Sequence, residues 1–502
     1  MSKDEIRVQY SGLIIFAAQI IGVATGLVFT VLLTRNMTTS EYGIWSNIFD
    51  WMGYFAFLSG LFPFWVTRFV ARGQEGSVRT GVFANLAVGL ISMAFYFPLI
   101  TVITRTLDIS GIYVLVYLVG SVQLINLYMI SVLESCLRAI KPQVIGYGFL
   151  IEEICKVSLA LVLIGVMHQT ILGAMISFIV AGLVQTSYYL RLLRVNLRQR
   201  IQWSYLREWL KGSTAILYNS IGTQAASFTI ILLFIFGGQT ARGEYQAAAT
   251  FANVVGYASF LAFALYPRLL TRYGLQDVSS SLKTVLMFSV PLAAVIMTMA
   301  RSLLTVLNVA YNVATPVLIL LTLDAVVLLL SQFYYSLVFG IERLDENAKI
   351  PLRKLVKSKI FKVFTLPYIQ AAIALPTVYY VLTRLAPGQY VEAAVWVIGI
   401  NIVVHAGTFA GLYATIRKSV NLPVQWKSIA KYLLASAVPV IVLYFGPHPT
   451  TLIPTFLMAL GGLALYAVLL LSIDEDARDL IAAILQEIRE ILGVSARESS
   501  AI

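Results

Sequence analysis

Asp50, Glu134, Glu152, Glu153, Lys156 and Asp324 are ionisable residues set inside long apolar runs. A charge there is costly to bury, so each marks either an ion or proton site or a local pairing. Glu152 and Lys156 stand four residues apart, the spacing that brings two side chains together on one helix face. That leaves Glu153 as the unpaired acid, unless Arg138 or Lys141 reaches it. A buried carboxylate can exchange a proton, so Glu153 is a candidate coupling-ion site, for Na+ or H+. The alternative is a triad paired within itself. Glu134 and Arg138 have the same four-residue spacing, which fits a salt bridge at a helix end or a proton site. Asp324 lies mid-run, and reads either as lining a polar cavity or as making an interhelical hydrogen bond. Asp50 reads as a cavity wall or ion ligand, or as an interfacial residue near the end of its run. No phosphate-binding loop, GxSxG elbow, HExxH pair or pair of catalytic acids is present in the loops. Cys136 and Cys155, with His168, His405 and His448, show no metal-ligand spacing. The chain is therefore expected to be no enzyme, with no cofactor and no bound metal or ATP.

These residues must be positioned by membrane helices. Of the 502 residues, 59% are hydrophobic and 12% charged, with a mean hydropathy of +0.83. Ordinary soluble domains carry about 25% charged residues. The composition excludes a cytosolic enzyme and a disordered scaffold. A span takes about 20 mostly apolar residues. Fourteen such runs are predicted, near 11–33, 44–66, 82–104, 112–137, 144–166, 170–190, 213–236, 246–267, 284–300, 314–339, 363–383, 392–416, 430–446 and 452–472. With the N-terminus cytoplasmic, 30 of the 36 Lys and Arg fall on that side. Five fall outside (Arg35, Arg105, Arg242, Arg301 and Arg384), and Lys156 lies within a span. This asymmetry is the positive-inside pattern. It places both termini in the cytoplasm, and the protein is expected to be a multi-pass protein of the plasma membrane. It also accounts for the formal charge of +12 without nucleic acid as a partner.

The sequence repeats itself. Glu41, Tyr42, Gly53, Tyr54, Phe57 and Leu58 match Glu244, Tyr245, Gly256, Tyr257, Phe260 and Leu261 at a shift of 203 residues. After a one-residue slip, Pro63, Thr67 and Arg68 match Pro267, Thr271 and Arg272. The shift equals six spans, so the halves are parallel repeats about an axis along the membrane normal. An all-α architecture follows. It has a six-helix lobe over 1–190, a basic linker over 191–212 and a second lobe over 213–418. Two further helices cover 419–472, and an amphipathic tail covers 473–502. Two-lobed proteins of this symmetry usually alternate a central cavity between the two membrane faces. Asp50 and Asn253 occupy equivalent repeat positions, so both are cavity candidates.

The combination of Leu32-Leu33-Thr34-Arg35 with Glu41-Tyr42-Gly43, Gly243-Glu244-Tyr245-Gln246-Ala247-Ala248 with Leu265-Tyr266-Pro267, and Cys136-Leu137-Arg138-Ala139 with Lys141 resembles a known superfamily. This is the multidrug/oligosaccharidyl-lipid/polysaccharide exporter superfamily, and within it the polysaccharide-biosynthesis flippases. Gln246 stands where that pattern usually has a small residue. The resemblance implies a flippase for an oligosaccharide on a polyprenyl or dolichyl (pyro)phosphate. Membrane lipids and glycan-assembly enzymes are its expected partners. A cation-coupled multidrug antiporter is the alternative, and a membrane glycosyltransferase or polymerase a third reading.

A lipid-linked sugar needs cations for its phosphate, and Arg matches phosphate geometry bidentately. Arg68 and Arg272 are repeat-related cations at the cytoplasmic ends of spans two and eight, with Arg72 and Arg268 beside them. They read as phosphate ligands at the inner mouth or as plain positive-inside anchors. Arg35, against the charge rule, would hold the phosphate at the outer mouth, a role the resemblance supports. Gly22 and Gly26 form a GxxxG that permits close helix packing. The basic stretch Lys349–Lys362 reads as an interfacial strap.

Overall fold

The computed structural model describes residues 3–107, 109, 111–258, 275–341, 359–417, 425–480 and 482. Arg268, Arg272, all of the basic stretch before Lys359 and the tail beyond 482 lie outside the described residues. Among the described residues the chain is helical, with no strand. The helices are α1 (Lys3–Asn36), α2 (Thr39–Ala56), α3 (Pro63–Ala71), α4 (Ser77–Thr106), α5 (Gly111–Ile140), α6 (Gln143–Ala160), α7 (Thr170–Leu192), α8 (Trp203–Gly212) and α9 (Thr214–Leu232). They continue as α10 (Gly238–Gly256), α11 (Leu275–Thr298), α12 (Ala300–Leu307), α13 (Thr315–Ile341), α14 (Lys359–Leu382), α15 (Tyr390–Arg417), α16 (Trp426–Phe445) and α17 (Leu452–Ile473). The described residues of the fourteen predicted spans are largely helical, although several spans, the second among them, run over more than one helical element, and the eighth is described only to residue 258. Eleven described helices are long and apolar enough to cross a membrane, and Ile21–Asn36 is a shorter apolar stretch.

Local sequence explains where the helices break. The second predicted span is not one helix. α2 gives way to a 3-10 turn at Phe57–Gly60, and α3 restarts at Pro63, which fills the first helical position. Thr38 and Glu41 form a capping box at the start of α2. The loop predicted between spans seven and eight is almost absent. A π-helical turn, Leu233–Gly237, leads into α10 through Gly238, whose φ of +89° suits glycine alone.

The chain divides into two compact units. One comprises Met1–Ala248, Leu307–Val317 and Glu342–Thr408. Within it α1 lies along α6, α5 packs on α4 and α7, and α9 lies along α14. Gly22 of α1 is needed there, because a Cβ would strike the Phe149 ring, whereas Gly26 faces open space. The GxxxG reading thus holds for its first glycine only. A core of Phe62, Trp65, Phe69, Val132, Cys136, Tyr189 and Trp209 binds α3, α5, α7 and α8 together. The other unit comprises Ala249–Val306, Leu318–Ile341 and Phe409–Ile502. In it α11, α16 and α17 pack mutually, and the Tyr466 hydroxyl donates to the Met287 carbonyl at 2.7 Å. Lys431 pairs with Asp474 at 2.8 Å, and Lys283 with Asp476 at 2.7 Å.

Candidate functional site

Within the first unit, α2 and α10 carry the two copies of the repeated Glu-Tyr motif, and they cross at a point where neither has a side chain. A Cβ on Gly43 would run into the Gln239 carbonyl, and a Cβ on Gly243 into the Thr39 carbonyl. Only glycine permits this approach at either position. The Ser40 hydroxyl donates to Gln239 Oε1 across the crossing at 2.6 Å.

Asp50 and Arg242 lock the crossing. Arg242 Nε lies 2.7 Å from Asp50 Oδ2 and Nη2 lies 2.9 Å from Oδ1, a bidentate pair. Arg242 Nη1 donates to Gln246 Oε1 at 3.0 Å, and the guanidinium lies 5.5 Å from the Tyr245 ring. The Arg242 side chain is 5% exposed and that of Asp50 18%. A buried charge of this kind is stable only while it is paired and hydrogen-bonded. Asp50 is therefore the ion-pair partner of Arg242. Gln246 thus serves as a second acceptor for Arg242.

The rim continues the seal. Thr34, fully buried at the end of α1, places its hydroxyl 3.4 Å from the Leu307 carbonyl. Asn308 Nδ2 donates to the Thr34 carbonyl at 3.2 Å. Tyr42 and Tyr311 meet edge to face at 6.1 Å. Glu41 accepts from the Tyr113 hydroxyl at 3.0 Å. Its repeat counterpart Glu244 is 4% exposed, and its Oε2 makes no hydrogen bond.

A second charged cluster joins α1 to α6. Lys156 Nζ lies 2.5 Å from Glu153 Oε1 and 3.5 Å from Glu152 Oε1. The Thr25 hydroxyl donates to Glu153 Oε2 at 2.6 Å. The ammonium also lies 5.6 Å from the Phe29 ring and 5.3 Å from that of Phe178. The expected order of pairing is thus reversed. Glu153 takes the shorter bond and is not the unpaired acid, because α1 brings Thr25 to its second oxygen.

The remaining predicted residues are dispersed. Arg35 is exposed at the end of α1. Arg68 stacks on the Phe64 ring at 3.7 Å and donates to the Phe64 carbonyl at 3.1 Å. Asn253 is exposed on α10, and Asp324 is buried in α13, at 5%. Glu134 accepts from the Tyr189 hydroxyl at 3.3 Å. Among the described residues no group of three His, Cys, Asp or Glu could hold a metal ion. Sequence reading missed Arg242, which it counted as one of five outer cations. The signal available was that Asp50 had no cation on its own helix, so a distant one had to supply it.

No protein-family model and no curated protein matches the sequence. Solved structures do match it. The lipid II flippase MurJ, in an inward closed conformation, superposes with a TM-score of 0.65 at 13% identity, over 93% of this chain and 100% of that one. An inward-facing multidrug resistance MATE family transporter of the MOP superfamily gives 0.60 at 13% identity, over 80% and 96%. An outward-facing MATE family transporter of that superfamily gives 0.53 at 16%, over 82% and 95%. The chain therefore has the helical transporter fold that these proteins share.

Proposed function

We propose that this protein is an alternating-access flippase. It turns an oligosaccharide linked to a polyprenyl or dolichyl (pyro)phosphate from the cytoplasmic to the outer leaflet of the plasma membrane. The observation that carries the reading is the seal at one end of α1, α2 and α10. It is built from both repeats, and it concentrates close backbone contact and a buried ion pair where a gate must open and close. Charge asymmetry supports placing this end outside, with both termini cytoplasmic. The lobes over 1–190 and 213–418 then rock about the linker at 191–212.

The extent of the fold likeness supports the lipid-linked substrate. At 93% coverage by the lipid II flippase only about 35 of 502 residues are left out. That is fewer than the 20 and 22 residues of α16 and α17 together, so the likeness reaches into the two additional helices. Arg68 and Arg272 receive the phosphate at the inner mouth, and Arg35 takes it at the outer mouth. Asp324 and Asn253 offer hydrogen bonds to the passing glycan. Glycan-assembly enzymes supply and consume the substrate on the two faces.

One observation favours a second reading, the cation-coupled multidrug antiporter. Thr25 joins the buried Glu153 and Lys156 in a compact ionic cluster of the sort a coupling H+ or Na+ could use. Deleting the gene and analysing lipid-linked glycans separates the two. Accumulation of an intact glycolipid on the cytoplasmic face is the expected result. Normal glycan export with drug hypersensitivity would overturn the flippase reading.

A further inference from the structure

The segment between the repeats carries charge and apolar surface that no gate or substrate role uses. Within the first unit, residues 193–203 and α8 form a strap packed on α3 and the start of α4. Its underside is fixed: Trp209 is fully buried against Phe62, Phe69 and Tyr205. Its position is fixed by three hydrogen bonds to the start of α4. Gly76 N donates to Gln199 Oε1 at 2.7 Å, Arg79 Nη1 to the Gln199 carbonyl at 2.8 Å, and Gln202 N to Thr80 Oγ1 at 2.9 Å. The apolar run of α4 begins directly after these residues, at about 82, so the strap sits at the edge of the apolar band.

The free face combines two kinds of side chain. Arg191, Arg194, Arg198, Arg200, Arg207 and Lys211 are all exposed, against the single acid Glu208. Among them stand Val195, 68% exposed, Trp203, 63% exposed, and Leu210, 52% exposed. Trp203 leans edge-on against Phe83 of α4, with ring centroids 5.8 Å apart. A water-facing strap has no reason to expose a tryptophan and a leucine beside six cations. A surface that meets both headgroups and upper acyl chains requires that mixture, and Trp settles at that depth.

We propose that this strap is a docking surface for anionic phospholipid headgroups. Trp203 and Leu210 enter the interface, and the arginines engage lipid phosphates around them. Each Lys or Arg close to an anionic surface strengthens attraction by roughly fivefold, so three of them give a preference large enough to measure. Lipid contact is read directly, without transport, so the outcome is independent of the substrate proposed above.

The test uses the full-length protein in vesicles of equal parts phosphatidylcholine and phosphatidylglycerol, with bromine on the acyl chains of one or the other lipid. The Trp203 signal is the difference in tryptophan emission between the parent and Trp203→Phe. Stronger quenching by brominated phosphatidylglycerol is expected. The difference between the two lipids should vanish in the triple variant Arg198→Gln, Arg200→Gln, Arg207→Gln, whose side chains are exposed and leave the fold intact. Equal quenching by both lipids in the parent would overturn the proposal. So would quenching of Trp203 by aqueous iodide alone, which would leave the face open to a soluble protein instead.

Discussion

Replacing Asp50 by Asn removes the carboxylate that pairs with Arg242 while leaving the side-chain shape. Arg242 would then keep its charge at 5% exposure, with Gln246 still accepting from Nη1. Breaking a buried ion pair from one side costs about 3–5 kcal/mol. Asp50 keeps 18% of its side-chain exposure, so the lower figure, about 3 kcal/mol, applies. If the pair exists only when this end is closed, the open population rises roughly a hundredfold, at about 1.4 kcal/mol per decade. The reporter is Thr34→Cys, because Thr34 is 0% exposed in the closed seal. Cys136 and Cys155 are first replaced by Ala. When opening is rare, the rate of labelling by a membrane-impermeant thiol reagent is proportional to the open population. Asp50→Asn should raise that rate by about the hundredfold worked out above. Asp50→Asn with Arg242→Gln should restore much of the protection, since no buried charge is then stranded. A lower melting temperature with an unchanged labelling rate would refute the reasoning and reduce the pair to a structural tie.

Three further outcomes follow from the geometry. Gly43→Ala should wedge α2 away from the Gln239 carbonyl, at about 1–3 kcal/mol. Faster Thr34→Cys labelling and slower transport would show it. Lys156→Met should strand Glu152 and Glu153 in the first unit and lower stability by about 3–5 kcal/mol. Thermal melts should show partial rescue on adding Glu153→Gln. Arg35→Ala and Arg68→Ala should each slow transport at least tenfold with melting temperature unchanged. Full transport by both would remove the phosphate assignment.

Several of these features are legible in the residues, and others depend on contacts that sequence does not display. Helix positions follow from apolar runs of about 20 residues, and the described parts of those runs are largely helical, although the second is broken at Phe57–Gly60. The repeat is legible too, because Glu, Tyr, Gly, Pro and Arg recur in order. Roles within the repeat are not. Glu41 caps α2 because Thr38 sits three residues before it. Glu244 has no such role, because α10 starts at Gly238 and carries it into the helix interior. Asp50 stands out as a charge in an apolar run, yet its partner lies 192 residues away in sequence. Glycine pairs such as Gly43 and Gly243 acquire meaning only when two helices cross there. The inversion at Glu153 has the same origin: spacing gives the bond to Lys156 from either acid, and a second helix, α1, brings Thr25 to Glu153.

The central claim is that the protein moves a lipid-linked glycan across the bilayer, and reconstitution tests it most directly. Purified protein is placed in vesicles carrying a fluorescent oligosaccharide on a polyprenyl pyrophosphate. A membrane-impermeant glycosidase added outside then cleaves every glycan in the outer leaflet. Vesicles without protein protect about half of the glycan. With the protein, essentially all of it should become cleavable, and Asp50→Asn should change the rate at which it does so. Half of the glycan remaining protected in vesicles whose protein is folded and inserted would contradict the account.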